Sequence, residues 1–490
     1  MATNGNRDDL RFIVIGAGMA GILSGIKLRE AGHSDITIYE KADRVGGTWR
    51  ENTYPGLTCD VSSHSYTYTF EPNPEWSHRY PPGDEIQAYF EAATEKFGVT
   101  EMIRFNEEIV RCEHVGGRWR LEMKSGLRDE ADVVIAATGV LHHPNYPDIE
   151  GLDLFEGELF HTARWDHDVP LDGRRIGIIG NGSTGVQIVS ALASRAGALY
   201  QFQRTAQWIM PSENPAYSAE ERTAFRENPE LMLELKRGFD GGEGVARFTD
   251  AIINPDSPAM KEIEAVVLEN LENNVQDAEL RERLRPTYRA ACKRMIFSPD
   301  YYDAIQHPNV ELVTDEIERV EAEGVRLRNG RLIELDLLAL ATGFKADRFM
   351  RPMDLIGRDG MKLESVWAKR PHAYLSISIP GFPNFFMLNG PNGPVGNFSL
   401  IDIAERQMAY ISQLIEFIRA GRCREVSASS EAMVRFDSER IEAAKNTIWA
   451  TGCNSWYLDA EGVPASWPWS QKRFHQEMSE PKLEDYQLIA

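Results

Sequence analysis

The sequence predicts an α/β protein in which one domain of parallel strands and helices is inserted into a second domain of the same kind. Three observations carry this reading. An apolar run, RFIVI at residues 11–15, meets the turn GAGMAG and then the helix-like stretch GILSGIKLREAG, and the same order returns where RRIGIIG meets GNGSTG and VQIVSALASRAG. A second echo pairs residues 132–139, DVVIAATG, with residues 336–343, DLLALATG: an aspartate, a buried-type apolar strand and the tripeptide ATG in each. Between Pro211 and about Arg294 the chain is rich in Glu, Leu, Arg and Ala, as expected of a helical insertion.

Each glycine turn has the spacing G-x-G-x-x-G directly after a strand. In the first, Gly16 permits the tight turn, Gly18 lets the backbone approach a pyrophosphate, and Gly21 packs helix on strand, with the helix N-terminus facing the phosphates. About twenty residues on, the strand DITIYE ends in Glu40, placed to accept hydrogen bonds from two ribose hydroxyls. In the second, Gly180, Gly182 and Gly185 repeat the pattern, and Ser183, Thr184 and Gln187 are expected to face the same ligand. Here the following strand ends in Arg204 and Thr205 rather than in a carboxylate. A guanidinium and a hydroxyl suit a 2′-phosphate that a carboxylate would repel, which favours NADPH over NADH. Two Rossmann-like dinucleotide-binding domains follow. If one is inserted in the other the chain must cross between them twice, and the ATG turns are natural crossing points. The outer domain is placed at residues 1–145 and 341–490, and the inner at 146–340 including the insertion.

Size and charge narrow the function. At 490 residues the chain exceeds what one core serves, and 42% hydrophobic with 26% charged residues is ordinary for a globular protein. A net charge of −22 without a basic stripe disfavours nucleic acid and anionic membranes. The polar N-terminus, MATNGNRDDL, runs straight into an apolar strand, and no stretch is long and apolar enough to span a bilayer, so neither secretion nor insertion is indicated. The five cysteines are odd in number and scattered, without CxxC or metal-ligand spacing. They suit a reducing, cytoplasmic location, offer no redox pair of the disulfide-reductase kind, and leave no metal expected.

Resemblance to known families adds the chemistry. Gly46-Gly47-Thr48-Trp49 resembles the flavin-cradling segment of two-dinucleotide-domain flavoproteins, which implies FAD at the first site, lined by Thr48, Trp49, Asp60 and Tyr66. The segment Phe155-Glu-Gly157-Glu-Leu-Phe-His161-Thr-Ala-Arg-Trp165-Asp166 resembles the F-x-G-x-x-x-H-x-x-x-W-(P/D) fingerprint of type I Baeyer-Villiger monooxygenases. Related N- and S-oxygenating flavin monooxygenases, the alternative reading, carry a tyrosine-type ending there. A non-catalytic flavoprotein sensor would have no need of these motifs.

Further matches span most of the chain: Tyr54-Pro-Gly-Leu-Thr-Cys-Asp60, Cys292-Lys293-Arg294, the run from Asn389 through Asn397-Phe398 past the flavin, and Cys453-Asn-Ser-Trp456-Tyr457, which is similar to a mobile loop over bound NADP. The resemblance implies conversion of a ketone and O2 to an ester or lactone through a C4a-peroxyflavin and a tetrahedral adduct. Arg294 would be the stabilising cation, Asp60 its orienting carboxylate, and Lys293 a partner of the NADP phosphate. Phe155 and Trp165 read as packing anchors, and His161 as a lock on the interdomain connection.

Overall fold

The computed structural model describes residues 9–240, 243–396 and 398–490, so most of the polar N-terminus and Asn397 of the proposed flavin segment lie outside the described residues. The fold is mixed α/β with two five-stranded parallel sheets. The first runs in the order Phe385–Met387, Val133–Ala136, Phe12–Ile15, Ile36–Tyr39, Ile103–Arg104. The second has the order Val310–Val313, Ala198–Phe202, Arg175–Ile179, Leu337–Leu340, Glu158–His161. Every strand of the second lies in sequence between two strands of the first, which is the nested arrangement expected. The strands Phe12–Ile15, Val133–Ala136 and Leu337–Leu340 are buried along their whole length, because helices or other layers cover both faces of a parallel sheet.

The two glycine turns are built alike. Gly16 has φ +98°, and a Cβ there would come within 2.8 Å of the Ala137 carbonyl oxygen; Gly180 has φ +118°, and a Cβ would collide with the Ala341 carbonyl. The first alanine of each ATG turn thus packs on the first glycine of each fingerprint. A Cβ on Gly21 or Gly185 would strike the carbonyl of Gly16 or Gly180, so in both units the third glycine lets helix Met19–Glu30 or Ser183–Leu192 lie directly on its turn.

The crossing points meet in space. Asn145 N–H donates to the Gly343 carbonyl at 2.9 Å, Lys345 N–H to the His143 carbonyl at 2.9 Å, and Thr342 Oγ1 to the Asn145 carbonyl at 2.6 Å, so the two connections run antiparallel, side by side. His161 fastens them. Its Nδ1 accepts the Ala163 N–H at 3.1 Å, which leaves Nε2 as the protonated nitrogen, and that nitrogen lies 3.0 Å from the Gly343 carbonyl. Burial holds the His161 pKa below its ordinary value, so the ring is neutral and makes both bonds. Trp165 is buried in the inner domain's core and Phe155 packs on the cluster that includes Val320, Val325 and Leu327 of a small antiparallel sheet, matching their expected anchoring role.

The insertion is helical, with helices Ala219–Glu227, Glu230–Asp240, Glu243–Ile253, Pro258–Asn274 and Ala278–Arg283. Their starts follow from local chemistry: Ser218 and Glu221 form a reciprocal capping box, Ser257 caps a helix opening on Pro258, and Asp277 caps the last. Met260 and Val267 of the longest helix join Trp208, Ile448, Trp449 and Tyr457 in one cluster, so the insertion packs on the C-terminal segment as well as on its own domain.

Replacing Gly185 by Ala should lower unfolding free energy by about 1–3 kcal/mol, the usual range for overpacking. Gly182→Ala, whose Cβ would meet open space, should leave it within about 0.5 kcal/mol. Thermal and urea unfolding of the two variants checks the contrast.

Candidate active site

The two sheets open onto one cleft of about 1530 Å³, and nearly all of the sequence-predicted residues line it. At one end, Gly16 and Gly18 lie beside Glu40. The Glu40 carboxylate accepts the backbone N–H groups of Ala17 at 2.7 Å and Ala42 at 3.0 Å, which fixes it while each oxygen keeps a lone pair for a hydroxyl donor. Thr48, Trp49 and Tyr66 follow along the same wall, the indole Nε1 donating to Tyr66 Oη at 3.0 Å. At the other end stand Gly180, Gly182, Ser183, Thr184, Gln187, Arg204 and Thr205. Gly21 and Gly185 do not line the cleft; they lie beneath it, as their packing requires. Phe398 and the 46% exposed Trp456 complete the wall where the two halves meet.

The geometry accepts dinucleotides at both ends. A Cβ on Gly182 would meet nothing, and one on Gly18 would meet only the backbone Cα and N of Gly47, at 3.4 and 3.7 Å. Arg204 and Lys293 line the inner-domain end, and neither pairs with a carboxylate among the described residues. The Lys293 pKa is lowered by burial and by the nearby Arg204 cation. Two cations on one wall without a counter-ion have the charge that suits a multivalent anion.

Asp60 reaches the centre on the Tyr54-Pro-Gly loop, which rests on helix Ser183–Leu192 of the other domain. Tyr54 Oη donates to Gln187 Oε1 at 2.9 Å and Gln187 Nε2 to the Thr58 carbonyl at 3.0 Å. Gly56 makes that approach possible, since a Cβ would meet the Gln187 carbonyl oxygen at 2.6 Å. Arg294 closes the arrangement. Its Nε and Nη2 donate to Asp60 Oδ2 at 3.1 and 2.7 Å, and its Nη1 donates to the Gly396 carbonyl at 3.0 Å. Burial disfavours the charge, but Asp60 and Tyr457 more than offset it and raise the Arg294 pKa. With Arg294 30% and Asp60 27% exposed, the pair faces the cleft rather than lying under it.

Three features of the site escaped the sequence. A second, largely apolar cavity of about 500 Å³ adjoins the cleft at Asp60, Lys293 and Arg294. Phe239, Phe248 and Ile252 of the insertion wall it, together with Met210, Met295 and Trp449. No motif marks these residues, and only helix periodicity signals that they turn one face inward. The Gly396 carbonyl is a backbone group and leaves no trace in residue type. Finally, the cysteines are not all unpaired as expected: Cys292 and Cys453 form a disulfide with Cα atoms 6.2 Å apart, while Cys59, Cys112 and Cys423 are free and buried. Their separation of 161 residues hid the pair from any spacing rule. Neither partner lines the cleft, so the pair does not supply a redox dithiol to it.

Fold and cleft define a two-dinucleotide oxidoreductase, and the family model described as pyridine nucleotide-disulphide oxidoreductase matches residues 13–228. An uncharacterized monooxygenase of Mycobacterium tuberculosis is 46% identical over 97% of this chain and 95% of its own length. A Baeyer-Villiger monooxygenase of Streptomyces coelicolor is 36% identical over 98% of this chain and 93% of its own. The crystal structure of OTEMO in complex with FAD and NADP superposes with a TM-score of 0.89 at 26% identity, covering 99% of this chain and 100% of that one. The chain belongs to the Baeyer-Villiger monooxygenase family.

The cleft also carries a pH signature. His142 lines it with Lys41 Nζ 3.4 Å from Nδ1 and the Phe349 carbonyl 2.8 Å from Nε2, and burial, with Lys41 and His143 nearby, lowers its pKa to about 4. In the unfolded chain this ring takes up its proton near pH 6.5, before the folded one does. Stability from this group is therefore full above pH about 6.5 and is lost as pH falls toward 4. Urea unfolding between pH 4 and 7 should show that slope, reduced in His142→Gln; an equal slope in both proteins would contradict it.

Proposed function

We propose that this protein is an FAD- and NADPH-dependent Baeyer-Villiger monooxygenase that converts an apolar ketone to an ester or lactone. The FAD-binding domain comprises residues 1–145 and 341–490, and the NADP-binding domain residues 146–340, with the helical insertion at about 211–294. The observation that carries the reading is the position of Arg294, at the junction of the dinucleotide cleft and the apolar cavity, with Asp60 on one side and the Gly396 carbonyl on the other. Likeness to relatives named for this reaction, and to a structure holding both cofactors, supports it.

When bound, the cofactors supply the reduction and O2 activation that deliver one oxygen atom to the ketone. The chain's own residues do the rest by position and charge. Glu40 would accept hydrogen bonds from the ribose hydroxyls of FAD, Gly16 and Gly18 would bring backbone to its pyrophosphate, and Thr48, Trp49, Tyr66 and Phe398 would wall its ring. Gly180, Gly182, Ser183, Thr184 and Gln187 would hold NADP, with Arg204, Thr205 and Lys293 at its 2′-phosphate. Trp456 shields the junction from water. The apolar cavity takes the ketone's hydrocarbon part, and its carbonyl is turned toward Arg294. As oxygen attacks, negative charge grows on the carbonyl oxygen. Arg294 stabilises it with the N–H groups that Asp60 and Gly396 leave uncommitted, and it stays protonated at any working pH. Asp60 fixes the guanidinium plane and balances its charge. O2 is the co-substrate.

Arg294→Ala should cut ester formation about 10²- to 10³-fold, or about 2.7–4 kcal/mol, the loss typical of one oxyanion donor. NADPH consumption should continue, with its electrons appearing as hydrogen peroxide, because hydride transfer builds no oxyanion. Parallel assay of NADPH, peroxide and ester on a ketone panel under ¹⁸O2 tests this; ester within a few-fold of wild type would overturn the role of Arg294. In the same assays Arg204→Ala should raise KM for NADPH by the equivalent of about 1.5–3 kcal/mol with kcat nearly unchanged, since a remote phosphate is bound equally in ground and transition states. An unaltered preference for NADPH over NADH would remove Arg204 from the 2′-phosphate site.

A further inference from the structure

We infer that the Cys292–Cys453 disulfide is a redox-sensitive positioning element of the oxygenation site, tying the turn that carries Lys293 and Arg294 to the loop that carries Trp456 and Tyr457. The inference rests on the monooxygenase reading above for its effect on product, but not for the bond itself.

Both half-cystines sit next to working residues. Cys292 directly precedes Lys293 and Arg294. Cys453 stands three residues before Trp456, which lines the cleft, and four before Tyr457, whose hydroxyl contacts Arg294 and packs against Gly396. Besides the disulfide, the polar ties between 289–295 and 451–457 among the described residues are the Arg294–Tyr457 contact and Thr451 Oγ1 to Cys292 Sγ at 3.5 Å, at the outer limit for such a contact. The turn has its own bonds, Ala291 N–H to Met295 Sδ and Cys292 N–H to the Arg289 carbonyl, both at 3.3 Å, yet Ala291 has φ +59°, a left-handed conformation that a residue with a Cβ adopts only when its surroundings impose it. A covalent bond at the next residue is such an imposition.

The bond also limits the freedom of residues 454–457 by fixing one end of their loop. Its sulfurs are buried beside Trp208, Met295 and Trp449, away from the cleft, which makes it a clamp rather than a catalytic dithiol. Disulfides in reducing compartments are typically catalytic or redox-sensing. Opening the clamp is a two-electron step. A small or protein dithiol gives two electrons and two protons, the Sγ–Sγ bond breaks to two thiols, and the donor leaves as its own disulfide. Hydrogen peroxide reverses this, the two thiols becoming the disulfide and the peroxide two waters.

The test uses the full-length, FAD-loaded enzyme in air-equilibrated buffer, after dithiothreitol, and after dithiothreitol followed by hydrogen peroxide. Denaturing alkylation with N-ethylmaleimide and peptide mass spectrometry should find residues 292 and 453 linked in the first and third states and alkylated in the second. Cys59, Cys112 and Cys423 should be alkylated in all three. In the reduced state the Kd for NADP+ should rise at least about fivefold, the lower end of ordinary coupling energies. Proteolysis within 452–456 should accelerate, and the peroxide-to-ester ratio should increase, each returning on reoxidation. Cys453→Ser should match the reduced state and ignore dithiothreitol; should that variant not fold, the reduction and reoxidation cycle of the wild type decides. Free thiols at 292 and 453 in the air-equilibrated enzyme would overturn the proposal, as would equal NADP+ affinity and loop proteolysis in both states. Absence of ester in every state would instead count against the monooxygenase reading, leaving the alkylation and proteolysis results to judge the clamp.

Discussion

The Arg294–Asp60 ion pair is the constraint on which the rest of the architecture depends. It joins parts of the chain 234 residues apart, and through the Gly396 carbonyl it adds a third segment, from beyond the inner domain. A guanidinium placed in a partly buried cleft needs both a counter-charge and acceptors, or the cost of its desolvation would unfold the turn that carries it. Asp60 supplies the first and Gly396 part of the second. The same bonds therefore hold two domains and the helical insertion in one register. They also leave a fixed cation facing the space where the cleft and the apolar cavity meet.

Nesting one dinucleotide domain in another makes this convergence possible. Each fingerprint turn points its helix N-terminus into the cleft, and each is backed by an ATG turn from the strand beside it. The chain passes between domains through two adjacent crossings, bonded to each other and pinned by neutral His161. That junction lets the domains share one cavity while each keeps its own buried sheet. The Tyr54-Pro-Gly loop, pressed against the second dinucleotide helix, then delivers Asp60 from the outer domain to Arg294 from the inner one.

Much of this was legible because local chemistry encodes it. Gly16 and Gly180 are demanded by backbone geometry at a tight turn, and Glu40 and Arg204 by the end of the strand that each follows. The nested order could be read from the repeated ATG strands, since equivalent strands must pair with equivalent partners. What could not be read depends on contacts between distant segments. The apolar cavity is made by side chains that look like ordinary core in sequence, the Gly396 carbonyl has no residue signature, and the Cys292–Cys453 bond spans a separation no spacing pattern covers. Arg204 and Lys293 were each expected to meet the NADP phosphate, but their closeness to each other, expressed in the lowered Lys293 pKa, emerged only from the fold.

A double-mutant cycle across the ion pair tests most directly whether Asp60 works through Arg294. Ester formation and the rate of flavin reduction by NADPH would be measured for wild type, Asp60→Asn, Arg294→Ala and the double variant on one accepted ketone. If the carboxylate acts by holding the guanidinium, the double variant should lose no more ester formation than Arg294→Ala alone. The coupling energy should then be on the order of 1–3 kcal/mol, with little coupling in the reduction rate. Additive losses in ester formation would show that the two residues act independently, and would contradict the account.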